Sequence, residues 1–162
     1  MFNISVSHIS IYRWIRHFSS FFKTVSEFLI QKANLQYDEW HADETYIKIK
    51  GIRHYLWILL DSKTRVVIAF YLYDLRNSSS DYKLFQKSLN NTNSESSDIV
   101  TDYLPAYNMP ISMAYPNIKY YTYSSFSDNL NNNFIESFNK TFKAWYKTKK
   151  GFHSFSSALF NF

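Results

Sequence analysis

The sequence contains no cysteine and little glycine or proline, with two and three residues respectively. The lack of cysteine excludes a disulfide framework and a cysteine-ligated zinc site. The scarcity of glycine and proline favours regular helices and strands over a loop-rich scaffold. The longest apolar runs, YLWILL and VVIAFYLY, have the length of a strand and are too short to cross a bilayer. The N-terminus lacks the basic start and apolar stretch of a signal peptide, so we expect a cytoplasmic protein without a membrane partner.

The residues that are present are largely apolar, and the charged ones are mostly basic. Hydrophobic residues make up 46% of the 162-residue chain and aromatic residues 20%, which is enough for one compact domain with a sizeable core. Lysine and arginine outnumber aspartate and glutamate by 18 to 13, giving a net charge of +5. An excess of positive charge favours polyanionic partners, of which nucleic acid is the commonest.

Residues 7–30 are predicted to form a helix that begins at Ser7 as a capping residue. Its apolar positions recur at helical spacing, at Ile11, Ile15, Phe18 and Phe22. A different face carries Ser10, Arg13 and His17. From these residues alone, that face is either the solvated side of an ordinary amphipathic helix or a surface that enters a DNA groove.

From residue 40 onward the hydrophobic period changes from that of a helix to that of strands. DETYIKIK alternates, and HYLWILLD and RVVIAFYLY are nearly continuous apolar runs joined by DSKT, which predicts a hairpin. A helix, a short strand DIVTD, a short helix, a fifth strand NIKYYTY and a last helix follow. Three adjacent strands followed by alternating helices and strands predict an α/β fold with a mixed sheet and helices on its faces.

Asp102 directly follows the short apolar strand, at the end where open α/β sheets place their chemistry. Aspartate is also a common turn residue after a strand, so its position has two interpretations.

Glu136 lies on the last predicted helix, outside the apolar stripe that contains Ile135 and Phe138. It shares its face with three lysines, Lys140, Lys143 and Lys147. This arrangement is typical of a solvated helix face. It is also compatible with one carboxylate that binds a metal and with lysines that bind a phosphate backbone.

Asp43 opens the first predicted strand, on the face of Ile47 and Ile49, whereas Glu44 points to the opposite face. A covered carboxylate needs hydrogen-bond donors or a metal. Nearby backbone amides and a metal ion both satisfy this requirement.

Four sequence motifs resemble the DDE transposases of insertion sequences, within the retroviral-integrase superfamily, and the insertion-sequence-six type in particular. They cover residues 40–160 and read WHADETYIKIKGIRHYLWILLDSKTRVVIAF, IVTDYLPAY, NNNFIESFNKTFK and KGFHSFSSA. Glu136 follows Asp102 by an interval of 34 residues, and Lys143 lies seven residues further on. The three acids and this lysine occur in the order of the family's motif.

The resemblance implies a ribonuclease-H-like α/β fold, with a five-stranded sheet of order 3-2-1-4-5 flanked by helices and preceded by an N-terminal helix. It identifies Asp43, Asp102 and Glu136 as the catalytic acids and metal ligands, and Lys143 as a DNA contact. We expect Lys140 and Lys147 to bind DNA beside it. Residues 1–36 resemble the end of a helix-turn-helix region, in which Arg13 and His17 would contact DNA, and residues 37–162 form the catalytic domain. The family pattern extends beyond this sequence, so we expect a chain truncated at both ends.

The function implied by the resemblance is DNA transposition. Two divalent ions, Mg²⁺ or Mn²⁺, would support cleavage at the transposon ends and strand transfer into target DNA. The expected partners are DNA and further copies of the chain, as a homodimer or larger assembly, in a prokaryotic cytoplasm at the nucleoid. Two alternatives remain open: a catalytically incompetent remnant that only binds DNA, and a metal-dependent nuclease on the same fold.

Overall fold

The computed structural model describes residues 5–32, 39–74, 78–92, 98–102, 104–123 and 133–161. The predicted domain boundary between residues 36 and 37 lies outside these residues. The elements, in chain order, are α1 (His8–Lys32), β1 (Glu39–Ile49), β2 (Ile52–Asp61), β3 (Val67–Tyr73), α2 (Ser78–Asn91), β4 (Asp98–Asp102), a 3₁₀ turn (Pro105–Tyr107), α3 (Asn108–Ala114), β5 (Lys119–Tyr123), α4 (Asn133–Lys149) and α5 (Phe155–Phe160).

The five strands form one mixed sheet in the order β3-β2-β1-β4-β5, as predicted. The strands β1, β2 and β3 pair antiparallel, and β4 and β5 pair parallel in the second half of the sheet. Lys50 and Gly51 form the two-residue turn between β1 and β2, and both have a positive φ. A turn of this kind matches the right-handed twist of the two strands that it joins. Because β4 pairs in parallel with residues 39–42 of β1, the carboxyl end of β4 lies beside the middle of β1.

Two hydrophobic clusters cover the two sides of the sheet. The first, which we call the α2 face, joins Trp40, Ala42 and Trp57 of the sheet to Leu84 and Phe85 of α2. The second, the α4 face, joins a different set: Ile47, Ile49, Leu56, Ile58, Leu72 and Phe152, with Phe138, Phe142 and Trp145 of α4. The alternation in β1 that was predicted from the sequence therefore separates the two sides of the core.

Two details of the sequence-based prediction are wrong. The first strand begins at Glu39, so Asp43 is its fifth residue and not its first. The structure also contains α5, which follows a turn at Gly151 and is capped by Ser154 through a 3.0 Å hydrogen bond from the Ser157 N–H. A helix of six residues is too short to give a clear periodic signal in the sequence.

The N-terminal helix α1 begins after Ser7, whose Oγ accepts a hydrogen bond of 3.2 Å from the Ser10 N–H. The predicted capping residue is therefore confirmed. Ile30 near the end of α1 packs against the α2 face, and α1 has no buried residue among those the structure describes. Within the described part of the chain, no helix is both long enough and apolar enough to cross a membrane.

Candidate active site

The register of β1 and β4 places Asp43 beside Asp102. The last pair of this parallel ladder is Ala42 with Thr101, so each aspartate is the next residue of its strand. Neighbouring strands lie about 4.8 Å apart, so the two carboxylates come close together at the carboxyl end of β4. Asp43 and Asp102 are both partly buried.

Glu44 joins the two aspartates. Single carboxylate oxygens of Asp43, Glu44 and Asp102 all lie within 4.8 Å of one another, and we call these three residues the acidic cluster. Glu44 leaves β1 toward the α2 face, as predicted, and its Oε2 accepts a 3.0 Å hydrogen bond from the hydroxyl of Tyr107. Because Glu44 lies two residues beyond the end of the β1–β4 ladder, its side chain still comes near the aspartates.

Hydrogen bonds fix the orientation of both aspartates. Asp43 Oδ1 accepts the Glu44 N–H at 2.8 Å, and Asp43 Oδ2 accepts Nδ2 of Asn139 at 2.6 Å. Asp102 Oδ1 accepts the Leu104 N–H at 3.3 Å, as a residue that turns the chain after a strand does. Asp102 therefore accepts a hydrogen bond typical of a turn residue and also lies in the acidic cluster.

Burial and neighbouring negative charges disfavour the ionised form of Asp43 in the acidic cluster. Burial, and next the negative charge of Asp102, raise the pKa of Asp43 from 3.8 to about 7. The hydrogen bond from Asn139 and the charge of Lys143 lower this pKa, and Glu136 raises it to a smaller extent. Glu136 and Lys143 of α4 thus both lie near enough to Asp43 to act on its charge.

The structure places the predicted residues of α4 on one exposed face. Glu136, Lys140, Lys143 and Lys147 are all exposed, and the apolar stripe of the helix packs against the sheet. Glu136 is not a member of the acidic cluster. The contact between α4 and the cluster is the hydrogen bond from Asn139, one turn beyond Glu136, to Asp43.

Arg13 and His17 are exposed on α1, which approaches the sheet from the α2 face through Ile30. The helix α4 lies on the other side of the sheet. The structure therefore does not bring Arg13 or His17 into the acidic cluster.

Sequence reasoning missed Asn139, Tyr107 and the proximity of Glu44. The position of Asn139, three residues after Glu136 in NNNFIESFNKTFK, was an available signal, because residues at this offset share a helix face. No local pattern indicated that Tyr107 bonds to a residue 63 positions earlier in the chain.

The acidic cluster fits a divalent cation. Its donors are carboxylate oxygens, which are the ligands that Mg²⁺ and Mn²⁺ prefer. Burial, and next the negative charge of Asp102, raise the pKa of Asp43, so an ionised Asp43 in the folded chain costs free energy that a bound cation offsets. We therefore regard the cluster as a candidate site for divalent metal.

Asn139 is expected to position the Asp43 carboxylate. Replacing Asn139 with leucine removes the hydrogen bond that lowers the pKa of Asp43, so this pKa should rise above about 7. Carbon-detected NMR titration of the aspartate side chains measures it directly. The control is Asn108→Leu, at an exposed position of α3. An unchanged Asp43 titration in Asn139→Leu would contradict the role of Asn139.

A mixed sheet of order β3-β2-β1-β4-β5 with helices on both sides is a ribonuclease-H-like fold. Two solved structures show the same fold. The catalytic domain of Mos1 mariner transposase is 13% identical with a TM-score of 0.54, covering 98% of this chain and 81% of that chain. The catalytic core of HTLV-2 integrase in complex with magnesium is 20% identical with a TM-score of 0.51, covering 66% and 67% of the two chains.

The family follows from the sequence. The family model described as a DDE domain matches residues 37–160, which is most of the chain. The chain therefore belongs to the DDE domain family of insertion-sequence transposases. The transposase for the insertion sequence-like element IS431mec of Staphylococcus aureus is 30% identical over 103 residues, covering 64% of this chain and 44% of that protein. The Staphylococcus aureus transposase of element IS257 in transposon Tn4003 matches to the same extent. The chain spans less than half the length of these curated relatives.

Proposed function

We propose that this chain carries the catalytic centre of a DNA transposase, which cleaves DNA at transposon ends and transfers the ends to target DNA. The observation that carries the proposal is the acidic cluster at the carboxyl end of β4 and the middle of β1, in a chain of the DDE domain family. The site would operate on DNA in a bacterial cytoplasm, at the nucleoid.

The roles that we propose for the acids are those that the family motif implies. Asp43, Asp102 and Glu136 would hold the divalent cations, which we propose are two Mg²⁺ or Mn²⁺ ions. Bound divalent cations supply activation of the attacking oxygen and neutralise the charge that develops on the phosphate. The magnesium named for the HTLV-2 integrase core supports the choice of metal.

The protein's own residues prepare this site before DNA binds. The Asn139 amide holds one oxygen of Asp43, and the Glu44 backbone N–H holds the other, so the carboxylate is fixed in orientation. The Tyr107 hydroxyl holds Glu44 beside it. Such preorganisation lowers the cost of assembling the reactive geometry.

The reaction would proceed in two displacements at phosphorus. In the first, water attacks the phosphodiester at the transposon end, and the 3′-oxygen leaves as a 3′-hydroxyl. In the second, this 3′-hydroxyl attacks a phosphodiester of the target strand, and the 3′-oxygen of the target leaves. The protein forms no covalent bond to DNA, so none of the 14 tyrosines is required as a nucleophile.

The test is a strand-transfer assay with Mg²⁺. Labelled duplexes taken from the DNA that flanks the gene serve as donor ends, and a supercoiled plasmid serves as target. Joined donor–plasmid products support the proposal. Hydrolysed DNA without joined ends indicates a nuclease, and salt-sensitive binding without any cleavage indicates a remnant that only binds DNA. Either of these two outcomes overturns the proposal.

The lysines of α4 are proposed to bind the phosphate backbone of DNA, together with Arg13 and His17 of α1. Lys140, Lys143 and Lys147 are exposed, and the charge of Lys143 reaches Asp43, so DNA on this face would lie over the acidic cluster. The net charge of +5 favours the same partner.

Neutralising Lys143 and Lys147 to glutamine is expected to weaken DNA binding at all sequences. If each lysine neutralises one phosphate, the slope of log affinity against log salt falls in magnitude by about 2. Fluorescence anisotropy with a labelled duplex at several salt concentrations measures this slope. The matched control, Lys83→Gln with Lys119→Gln, makes the same change in net charge on α2 and β5. Equal slopes for the two double variants would show that α4 does not bind DNA.

A further inference from the structure

A continuous apolar stripe runs along the exposed surface of α1. Written as heptads from Ile11, the a positions are Ile11, Phe18 and Val25, and the d positions are Trp14, Phe21 and Phe28. The three e positions, Ile15, Phe22 and Leu29, are apolar as well, and we call these nine residues the apolar stripe. All nine side chains are exposed, from 38% for Val25 to 68% for Phe22. A stripe of this period is typical of a helix that packs against another helix.

The remaining side of α1 carries all of its charged residues except Lys32, and it meets the chain's own domain. Arg13, Arg16, Lys23 and Glu27 occupy c and f positions, opposite the apolar stripe. Ile30, at an f position, packs against the α2 face. The charges of Lys23 and Glu27 act on Lys87 of α2, so they lie near it. The domain thus contacts the side of α1 that carries the c and f positions, and the apolar stripe on the opposite side is exposed.

The stripe is larger than a monomer normally exposes. Nine side chains that are each about half exposed present on the order of 1,000 Å² of apolar surface. The largest exposed apolar patch of a typical monomer is about 300–600 Å². A stable interface buries about 800 Å² on each partner. The stripe of α1 alone is therefore large enough for a stable interface.

The residues that flank the stripe suit pairing with an identical helix. The flanking b and g positions between residues 10 and 31 hold hydroxyl, amide and aromatic side chains, including Ser10, Ser19, Thr24 and Ser26, with His17 among them. No lysine, arginine, aspartate or glutamate stands at these positions, so two copies can approach without repulsion between like charges. Lys32, at the next a position after Val25, places its Nζ 5.7 Å from the centroid of the Phe28 ring at the end of the stripe. None of the nine stripe residues carries a positive charge, and one lysine at the end is too few to bind a phosphate backbone.

We infer that α1 pairs with α1 of a second copy of this chain through the apolar stripe. The interface is isologous, because the same surface is used on both copies. The pairing identifies the surface through which copies of the chain would assemble, and it requires neither DNA nor catalytic activity. Arg13 and the acidic cluster remain accessible, since neither belongs to the stripe.

The experiment is sedimentation of the full chain over a wide range of protein concentration, without DNA or metal. The wild type is expected to associate to a dimer. Phe22→Glu places a carboxylate on the stripe of each copy and should raise the dimer dissociation constant at least about tenfold. The matched control is Ser20→Glu, at a c position on the opposite side, and it should leave the dimer intact. Both positions are exposed, so neither change should unfold the chain.

Three results overturn the inference. The first is a wild type that stays monomeric at every concentration. The second is a Phe22→Glu variant that dimerises as the wild type does, because another surface would then form the dimer. The third is co-sedimentation of the wild type with phospholipid vesicles in place of self-association, because the stripe would then bind a membrane surface. A strand-transfer assay that fails leaves the sedimentation result unaffected.

Discussion

Asp102→Asn is expected to reduce Mg²⁺-dependent strand transfer at least about a thousandfold, or about 4 kcal/mol of transition-state stabilisation. Asparagine keeps the size of the side chain and can still accept the Leu104 N–H, which lies 3.3 Å from Asp102 Oδ1. It removes one negative charge from the acidic cluster, and with it much of the attraction for a divalent cation. The fold should therefore persist while the activity is lost.

The assay should follow both steps separately. Donor duplexes with uncleaved ends report cleavage, and duplexes with a ready-made 3′-hydroxyl report strand transfer. Both steps are expected to fail in Asp102→Asn, because one site serves both. The control is Asp74→Asn, a change of the same charge at an exposed position after β3. Full activity of Asp102→Asn in either step would refute the proposed role of this aspartate.

Asp43→Asn is expected to abolish activity as well, and to stabilise the metal-free protein at neutral pH. The pKa of Asp43 is about 7 in the folded chain, compared with its ordinary value of 3.8. Between these two pH values the folded state keeps a proton that the unfolded state has released. The stability contributed by Asp43 therefore falls as the pH rises from about 4 to about 7, by roughly 2–4 kcal/mol in all. Asparagine cannot ionise, so the variant avoids this loss.

Thermal unfolding in the presence of a chelator tests whether ionisation of Asp43 lowers the stability of the metal-free wild type as the pH rises. The melting temperature of Asp43→Asn should exceed that of the wild type by more at pH 8 than at pH 5. Saturating Mg²⁺ at pH 8 should then raise the melting temperature of the wild type, because a cation that binds only the folded state stabilises it. The variant should respond much less. Parallel pH profiles for the two proteins would contradict the raised pKa, and an equal response to Mg²⁺ would contradict the metal site.

The local sequence predicted the elements well because helices and strands are selected largely by short-range patterns. Ser7 marked the start of α1, and the alternation of Ile47 and Ile49 marked the buried side of β1. The apolar stripe of α4 likewise followed from offsets of three and four. Short elements and strand ends were less predictable, as Glu39 and α5 show, because they offer few residues to define a period.

The candidate site was only partly predictable, because its members come from different elements. The motif resemblance indicated Asp43, Asp102 and Glu136, and the structure gathers the first two. The contact of Asn139 with Asp43 joins residues 96 positions apart, and that of Tyr107 with Glu44 joins residues 63 apart. Such contacts depend on how the helices pack on the sheet, which no local pattern specifies.

The sequence by itself determined the order of the elements, the buried faces of β1 and α4, and the family to which the chain belongs. Periodicity and residue type suffice for these, because each is a property of neighbouring residues or of a motif. Only the tertiary structure decided that Glu44 lies beside the two aspartates, and that Asp43 holds its proton to about pH 7. The physical reason is that strand register sets the distances between carboxylates, and those distances, with burial, set the cost of their charge.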